Sequence, residues 1–370
     1  MVVRCQTIMN ALEKMAPPYL AEEWDRIGLQ IGSPAQPVNK LFLTLDLNME
    51  VLEEALAAGT DMIIVHHTPF FNPLQEVRTD LPSGRLLTKI INNGLILYTA
   101  HTNMDAAENG INDVLARKLG LREIRPLCST WKQKLYKIVV FVPGEYSSKV
   151  QEGMTLAGAG WIGNYSDCTF QVNGTGTFRP LNGTNPFIGS TGELAKVEEV
   201  RLETIATEEI LPRVIHALKR VHPYEEVAYD IYPLINEGKQ AGLGRVGFLQ
   251  EAVSLAEFMQ QVKDHLSITQ LRYCGDNCRK VEKIAVCGGA GAALMPQAIS
   301  AGAQVLVTAD VKYHEAQNAL AHNLAVIDAG HYATERLIIP VLREYLSREF
   351  LGEDVEIAFS QLNTDPFRFY

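Results

Sequence analysis

Short apolar segments alternate with helical segments at both ends of the chain, and this alternation is the strongest constraint on its fold. Strand-like apolar runs cover residues 41–47, 61–67, 95–101, 283–287, 304–310 and 324–329. Helical spacing separates these runs, and one long helix is predicted over 331–350. Repeated strand–helix–strand units predict an α/β fold with a mostly parallel sheet and helices on its faces.

The middle of the chain has a different pattern. A strand is predicted over 135–142, followed by a helix, extended segments over 163–172 and 174–178, and a flexible loop over 180–192. A strand–helix–strand unit over 199–207, 210–220 and 227–233 completes it. This order predicts a ferredoxin-like α+β domain. We therefore expect a split α/β domain, with residues 1–132 and 241–370 as its halves and 133–240 as the insertion.

Composition excludes several classes of protein. The chain has 370 residues and a formal net charge of −10, and an acidic protein is not expected to bind extended nucleic acid. Its six cysteines are scattered and form no disulfide framework, which favours a reducing compartment. The N-terminus is predicted to be an amphipathic helix, and no apolar run approaches the roughly 20 residues that span a bilayer. A cytoplasmic protein is expected.

Polar clusters follow several of the predicted strands, where ligand sites of α/β sheets gather. The pair His66–His67 could serve two different metal ions, or could cap its strand against the backbone. His101 and Asp105 follow the next strand and could bind a metal or transfer protons, although Asp105 could also be a helix-capping residue.

Two further clusters lie in the second half of the chain. His331 and Glu335 are four residues apart, so they share a helix face and could chelate a metal or hydrogen bond with each other. Asp310, Lys312, Tyr313 and His314 could support a metal site, contact a substrate, or simply begin a helix. The glycine-rich turn at 288–291 could bind an anion or only allow close packing.

The combined histidines and carboxylates supply five or six nitrogen and oxygen ligands. A single catalytic zinc takes three or four protein ligands, so this number favours a site for two metal ions. No cysteine belongs to the set, which leaves zinc, manganese, iron, cobalt and nickel open. The isolated Cys274 and Cys278 pair is interpreted as structural or incidental rather than as a zinc site.

The motifs resemble those of the family called GTP cyclohydrolase I type 2 homologues, or NIF-three-like proteins. The resemblance rests on the stretch 24–32 (WDRIGLQIG), the His66–His67 pair, HTNMD at 101–105, CGG at 287–289, DVKYH at 310–314, and DAGH at 328–331 with Glu335. It covers the chain from about residue 10 onward. Without the resemblance, the stretch 24–32 would be interpreted as a packing and turn segment without chemistry.

The resemblance implies that two divalent metal ions, with zinc expected, are bound by His66, His67, Asp105, His331 and Glu335. It also implies a ring-shaped homohexamer, and an inserted domain similar to CutA and PII-type proteins. The sequence departs from the family at two places. Thr68 precedes Pro69 where a proline often follows the histidine pair directly, and alanines replace serines at 290, 292 and 293.

Three functions remain open at this stage. In a metal-dependent hydrolase acting on a small, nucleotide-like substrate, the ions would activate water, and His101 or His314 would transfer protons. In a regulatory protein, the metals would organise a cavity and the inserted domain would bind a small ligand. In a protein for metal storage or trafficking, the metals would be bound loosely and reversibly.

Overall fold

The computed structural model describes residues 2–72 and 76–368. The chain divides into two compact units. The first unit is formed by two distant parts of the sequence, Met1–Trp131 and Ala241–Tyr370, and the second unit is Lys132–Gln240. No helix in the described part of the chain combines the length and the apolar character needed to cross a bilayer.

The elements are given in chain order. The strands are β1 (Val3–Arg4), β2 (Gly28–Ile31), β3 (Pro37–Val38), β4 (Lys40–Thr44), β5 (Met62–Val65), β6 (Ile96–Thr99), β7 (Arg122–Lys132), β8 (Leu135–Pro143), β9 (Thr169–Phe178), β10 (Ala195–Thr207), β11 (Tyr229–Leu234), β12 (Gln240–Ser254), β13 (Arg272–Cys274), β14 (Lys280–Val286), β15 (Val305–Thr308), β16 (Ala325–Asp328) and β17 (Glu356–Phe359). The helices are α1 (Cys5–Met15), α2 (Met49–Ala57), α3 (Pro82–Asn92), α4 (Thr102–Ala106), α5 (Ile111–Lys118), α6 (Ser147–Leu156), α7 (Leu211–Val221), α8 (Leu255–Leu266), α9 (Met295–Ser300), α10 (Tyr313–Ala321), α11 (His331–Glu335) and α12 (Ile338–Glu349).

The first unit contains two large mixed sheets. One has the strand order β17-β4-β5-β6-β2, in which β17, β4, β5 and β6 are parallel and β2 is antiparallel. The other has the order β13-β16-β15-β14-β12-β7, with β14, β15 and β16 parallel and β12 and β13 antiparallel to their neighbours. The central strands are buried throughout, as expected where helices cover both faces.

The second unit is a four-stranded antiparallel sheet with two helices. Its elements follow the order β8, α6, β9, β10, α7, β11, and the sheet order is β11-β8-β10-β9. This is the βαββαβ arrangement of ferredoxin-like domains. The extended segment predicted over 163–172 is wrong in its first half, because Gly163 adopts a φ of 58° in a turn closed by hydrogen bonds between Ile162 and Tyr165. Strand β9 begins only at Thr169.

The single long helix predicted over 331–350 is also wrong, because the structure has two helices there. Helix α11 ends at Glu335, and α12 begins at Ile338. Pro340 has no N–H group to donate to the carbonyl of Arg336, and this carbonyl accepts instead from Ile339 N at 3.2 Å. The break limits the helix that carries the His331 and Glu335 side chains to little more than one turn.

The two parts of the first unit are joined by a buried ion pair. Arg245 on β12 places Nε 2.6 Å from Asp113 Oδ1 and Nη2 3.1 Å from Asp113 Oδ2, on α5. The same guanidinium donates to carbonyls of Gly242, Gly244, Ala106 and Ala107. Both charged side chains are almost completely buried, so all of the guanidinium's stabilisation comes from these contacts.

We expect Asp113→Ala to lower the free energy of unfolding by about 3–5 kcal/mol, because it leaves a buried guanidinium without its counter-ion. Urea denaturation followed by circular dichroism measures the change. Asp80→Ala is the control, because it breaks the exposed Arg78–Asp80 pair and is expected to leave stability almost unchanged. Equal small losses in both variants would contradict the role assigned to the buried pair.

Candidate metal centre

The carboxyl ends of the first sheet's parallel strands position four of the predicted site residues. His66 and His67 follow β5 directly, and His101 follows β6. Asp105 lies on the short helix α4, which begins immediately after His101. Since β5 and β6 are parallel neighbours, these side chains meet at one edge of the sheet.

The second sheet supplies His331 and Glu335 in the same way. His331 and Glu335 begin and end helix α11, which follows β16 after a glycine at position 330 with a φ of 89°. Glu335 is buried and His331 is partly exposed. The turn after β14 packs directly against them, because a Cβ added at Gly289 would lie 2.2 Å from Glu335 Oε1 and 3.0 Å from His331 Nε2.

Each of the four histidines is oriented through its Nδ1 atom. His66 Nδ1 lies 2.8 Å from the Ala100 carbonyl oxygen. Carboxylates orient the other three: the Nδ1 partners of His67, His101 and His331 are Asp46 Oδ1 at 2.7 Å, Asp25 at 3.0 Å and Asp310 Oδ2 at 2.6 Å. An Nδ1–H that donates to oxygen leaves Nε2 as an unprotonated nitrogen able to bind a metal.

The Nε2 atoms of three of these histidines converge on Glu335. Its Oε2 atom lies 3.0 Å from His67 Nε2, 3.1 Å from His331 Nε2 and 3.9 Å from His66 Nε2. Asp105 Oδ1 lies 3.8 Å from His66 Nε2. Three overlapping groups could each hold a metal ion: His66 with His67 and His101, His67 with His331 and Glu335, and His66 with Asp105 and Glu335.

Three of these converging atoms are buried and make no conventional hydrogen bond: His66 Nε2, Asp105 Oδ1 and Glu335 Oε2, of which the last has only its ion-pair contacts with His67 and His331. Buried polar atoms are nearly always paired, and each unpaired one costs about 1–3 kcal/mol. Their grouping in one place indicates a binding site, since a metal ion would satisfy all three at once. The residues present therefore fit a metal centre.

The electrostatic environment gives the histidines different pKa values. Burial lowers the pKa of His66 to about 3, so this imidazole is neutral and available as a ligand. Burial also acts to lower the pKa of His67, but the carboxylates of Asp46 and Glu335 raise it to about 10. For His331, burial is likewise outweighed by Glu335, and the pKa rises to about 9. The carboxylates beside these two imidazoles therefore favour positive charge at this position.

The pKa values of the two carboxylates in the cluster shift in opposite directions. Burial, followed by repulsion from Glu335, raises the pKa of Asp105 well above its ordinary value. Burial acts on Glu335 in the same sense, but the neighbouring His331 and His67 lower its pKa below the ordinary value. Two buried carboxylates this close require compensating positive charge if both are to ionise.

Two functional side chains were missed by the sequence reasoning. The stretch 24–32 was assigned no chemistry, yet Asp25 contacts His101 and also accepts from Thr102 N at 3.0 Å. Burial acts to raise the pKa of Asp25, but the hydrogen bonds from His101 and Thr102 bring it down to about 2. Asp46 was also missed, although a charged residue near the end of the apolar strand predicted over 41–47 was a usable signal.

Other predicted features lie outside the cluster. His314 is exposed on α10, and its contacts are with Gln317 and Tyr313 of the same helix. In the described residues, no group able to hold a metal contains His314 or a cysteine. The N–H groups of the glycine-rich turn donate to side chains of the protein, namely Asn112, Thr334 and Thr308, which favours the packing interpretation over anion binding.

A cavity of about 960 Å³ adjoins the cluster. Its lining includes His67, His331, Asp46, Asp310, Arg272 and Arg368. This volume is at the upper end of the range for small-molecule sites. A ligand in this cavity would therefore lie beside the imidazoles of the cluster.

Fold and site together define an α/β protein in which histidine and carboxylate side chains from two mixed sheets could hold metal ions. The chain belongs to the Duf34/NIF3 (NGG1p interacting factor 3) family, whose model matches residues 3–366. The resemblance inferred from the motifs is thereby confirmed.

Individual relatives match along their full length. The chain is 43% identical to the "GTP cyclohydrolase 1 type 2 homolog" of Halalkalibacterium halodurans over 366 residues, covering 98% of each protein. It is also 43% identical to the relative of the same description in Bacillus subtilis, covering 99% of each. The solved structure of a Bacillus cereus protein related to NIF3 covers 100% of both chains, with a TM-score of 0.89 and 42% identity.

Gly289→Ala is expected to displace the Glu335 carboxylate and weaken metal binding by roughly 10–100-fold, the range for disturbing a group that orients a ligand. Zinc titration of the metal-free protein measures the affinity. Gly302→Ala is the matched control, because it also has a positive φ, 71°, but its nearest neighbour is Lys283 Nζ at 3.9 Å. If both variants bind zinc equally well, the absence of a side chain at position 289 is not required for metal binding.

Proposed function

We propose that the cluster holds two divalent metal ions and that the protein is a metal-dependent hydrolase. The observation that carries this proposal is the convergence of three buried, unpaired ligand atoms: His66 Nε2, Asp105 Oδ1 and Glu335 Oε2. One ion would be held by His66, Asp105 and Glu335, and the other by His67, His331 and Glu335. Glu335 belongs to both sets, and a carboxylate can bridge two ions.

The donor set indicates which metals to expect. It contains only imidazole nitrogens and carboxylate oxygens, which suits zinc and leaves iron, manganese, cobalt and nickel as alternatives. Two such ions, when bound, lower the pKa of water and polarise a carbonyl or phosphoryl group. The protein's own residues would hold the ions, exclude water from the buried side and admit a substrate through the adjoining cavity.

His101 is the residue that we assign to proton transfer. Its Nδ1 is held by Asp25, and its ring centroid lies 5.0 Å from that of His66 and 5.6 Å from that of His67. The imidazole is therefore fixed through Nδ1 next to the cluster. A positioned general acid or base of this kind contributes typically about 10²–10⁴-fold to a rate.

The substrate is proposed to be a small molecule of nucleotide-like size. The cavity of about 960 Å³ beside His67 and His331 supports this, and its lining provides both arginine and aspartate side chains. The description shared by the relatives makes GTP the first nucleotide to test. The ring-shaped homohexamer, the cytoplasmic location and the likeness of the second unit to CutA and PII-type proteins stay predictions from the sequence and from the family resemblance.

A regulatory protein is the second candidate, and a feature of the second unit favours it. This unit has its own cavity of about 750 Å³, whose lining includes Phe178, Phe187 and Tyr224 and part of the loop 180–192. A cavity with aromatic walls suits a small organic ligand. In this case the metals would organise the first unit, and the second unit would bind an effector.

We expect Glu335→Ala to lose the metal ions and any turnover together, because it removes the ligand common to both sets. Elemental analysis gives the metal content per chain, and hydrolysis of a nucleotide panel that includes GTP is assayed on the same samples. Glu344→Ala, which alters an exposed glutamate on α12, is the control. About two ions per wild-type chain with turnover supports the hydrolase.

The other outcomes are equally informative. Two ions without turnover on any substrate, combined with thermal stabilisation by one small ligand, would favour the regulatory protein. Wild-type protein that contains no metal after purification without chelator would contradict the proposed centre itself.

His101→Ala is expected to lower kcat by roughly 10²–10⁴-fold while metal content is retained, as for loss of a proton-transfer group. His314→Ala tests the second histidine that the sequence suggested for this role, and a smaller effect is expected because its contacts are with its own helix. If metal content falls with turnover in His101→Ala, His101 is a ligand instead. A larger loss of kcat in His314→Ala would reverse the assignment.

A further inference from the structure

The segment after β17 is held beside the carboxyl end of β4. Strand β17 runs parallel to β4, with Phe359 paired to Leu43, and Ser360 N continues this pairing by donating to Leu43 O at 2.9 Å. Ser360 Oγ also donates to Glu54 Oε2 at 2.6 Å. Because Asp46 lies just beyond β4, this register brings the following residues of the C-terminal segment next to it.

The contact that results is between Thr364 and Asp46. The Thr364 hydroxyl donates to Asp46 Oδ2, while Asp46 Oδ1 accepts from His67 Nδ1 at 2.7 Å. Both carboxylate oxygens are therefore engaged, one by the C-terminal segment and one by a histidine of the cluster. On the far side of the same imidazole, His67 Nε2 lies 3.0 Å from Glu335 Oε2.

The cluster contains a second series of hydrogen bonds that links a threonine, an aspartate and a histidine. Thr102 Oγ1 donates to Asp25 Oδ2 at 2.5 Å, and Asp25 also contacts His101 Nδ1. Thr102 immediately follows His101, whereas Thr364 is 318 residues away from its aspartate. The repetition of Thr–Asp–His indicates a common role, since a carboxylate fixed at both oxygens cannot rotate and so holds its imidazole in one plane.

We propose that Thr364 is a positioning residue of the metal centre, which acts through Asp46 on His67 and strengthens binding of the ion that His67 holds. This inference rests on the proposed dinuclear centre. The C-terminal segment thereby has two roles, because residues 363–368 also form one wall of the cavity beside His67 and His331. Hydrogen bonds from Asp365 N to Asn363 Oδ1 and from Phe367 N to Asp365 Oδ1, each 2.9 Å, hold the segment in shape.

The test compares Thr364→Val, which removes the hydroxyl but keeps the shape, with Thr364→Ser, which keeps the hydroxyl. Metal-free protein is titrated with Zn²⁺ and with Co²⁺, whose absorption spectrum reports ligand geometry. We expect Thr364→Val to weaken one of the two binding steps by about threefold to tenfold, less than the roughly 10–100-fold for loss of a direct partner of a ligand. Thr364→Ser is expected to match the wild type.

Two further measurements separate positioning from a general structural role. The Nδ1–H proton signal of His67, assigned in the zinc-loaded protein by its loss in His67→Gln, is expected to shift or broaden in Thr364→Val. In a double-mutant cycle, Thr364→Val should cause no further loss of metal affinity when Asp46→Ala is already present, because the hydrogen bonds from Thr364 through Asp46 to His67 are then already lost. Melting curves of the metal-free variants check that they are folded.

The outcomes distinguish this inference from the function on which it rests. Wild-type protein that binds no metal would overturn the proposed centre. Two ions bound by the wild type, with Thr364→Val unchanged in both binding steps, would overturn the role of Thr364 alone. A loss that Thr364→Ser does not rescue, or that persists on the Asp46→Ala background, would assign the effect to packing of the segment and would also overturn the inference.

Discussion

The carboxylates of Asp105 and Glu335 each bring a buried oxygen into a cluster of histidines, and this pairing determines the charge that the site requires. Close carboxylates removed from water cannot both ionise without nearby positive charge. The neighbouring carboxylates outweigh burial and raise the pKa values of His67 and His331 to about 10 and about 9, so this position favours positive charge. Metal ions would supply that charge and would also satisfy the unpaired atoms of the cluster.

The fold of the first unit brings these ligand atoms together. The ligand atoms come from two distant parts of the chain, so the two sheets must be held in a fixed relation for the site to exist. The buried Arg245–Asp113 pair joins β12 to α5, and one apolar core includes residues of both α1 and α12. In each sheet the parallel strands present their carboxyl ends to the site, which explains why the ligands follow strands.

Much of the candidate site could be predicted because the ligand types are concentrated in short motifs after apolar strands. The supporting contacts could not, since Asp25 and Asp46 are ordinary acidic residues in sequence. Asp25 lies 76 positions from His101, and Asp46 lies 318 positions from Thr364. Local propensity also failed for the helix over 331–350, where the effect of Pro340 on the Arg336 carbonyl prevailed over a continuous helical pattern.

Strand and helix periodicity and ligand identity are local properties, so the α/β class, the family and the residues whose chemistry suits metal ions can be inferred from the sequence alone. The tertiary fold sets which nitrogen of each histidine faces the cluster, places the contacts of His314 within its own helix, and brings the C-terminal segment to Asp46. These features depend on pairings between residues far apart in the chain. Such pairings follow from strand register and burial, which local sequence patterns do not specify.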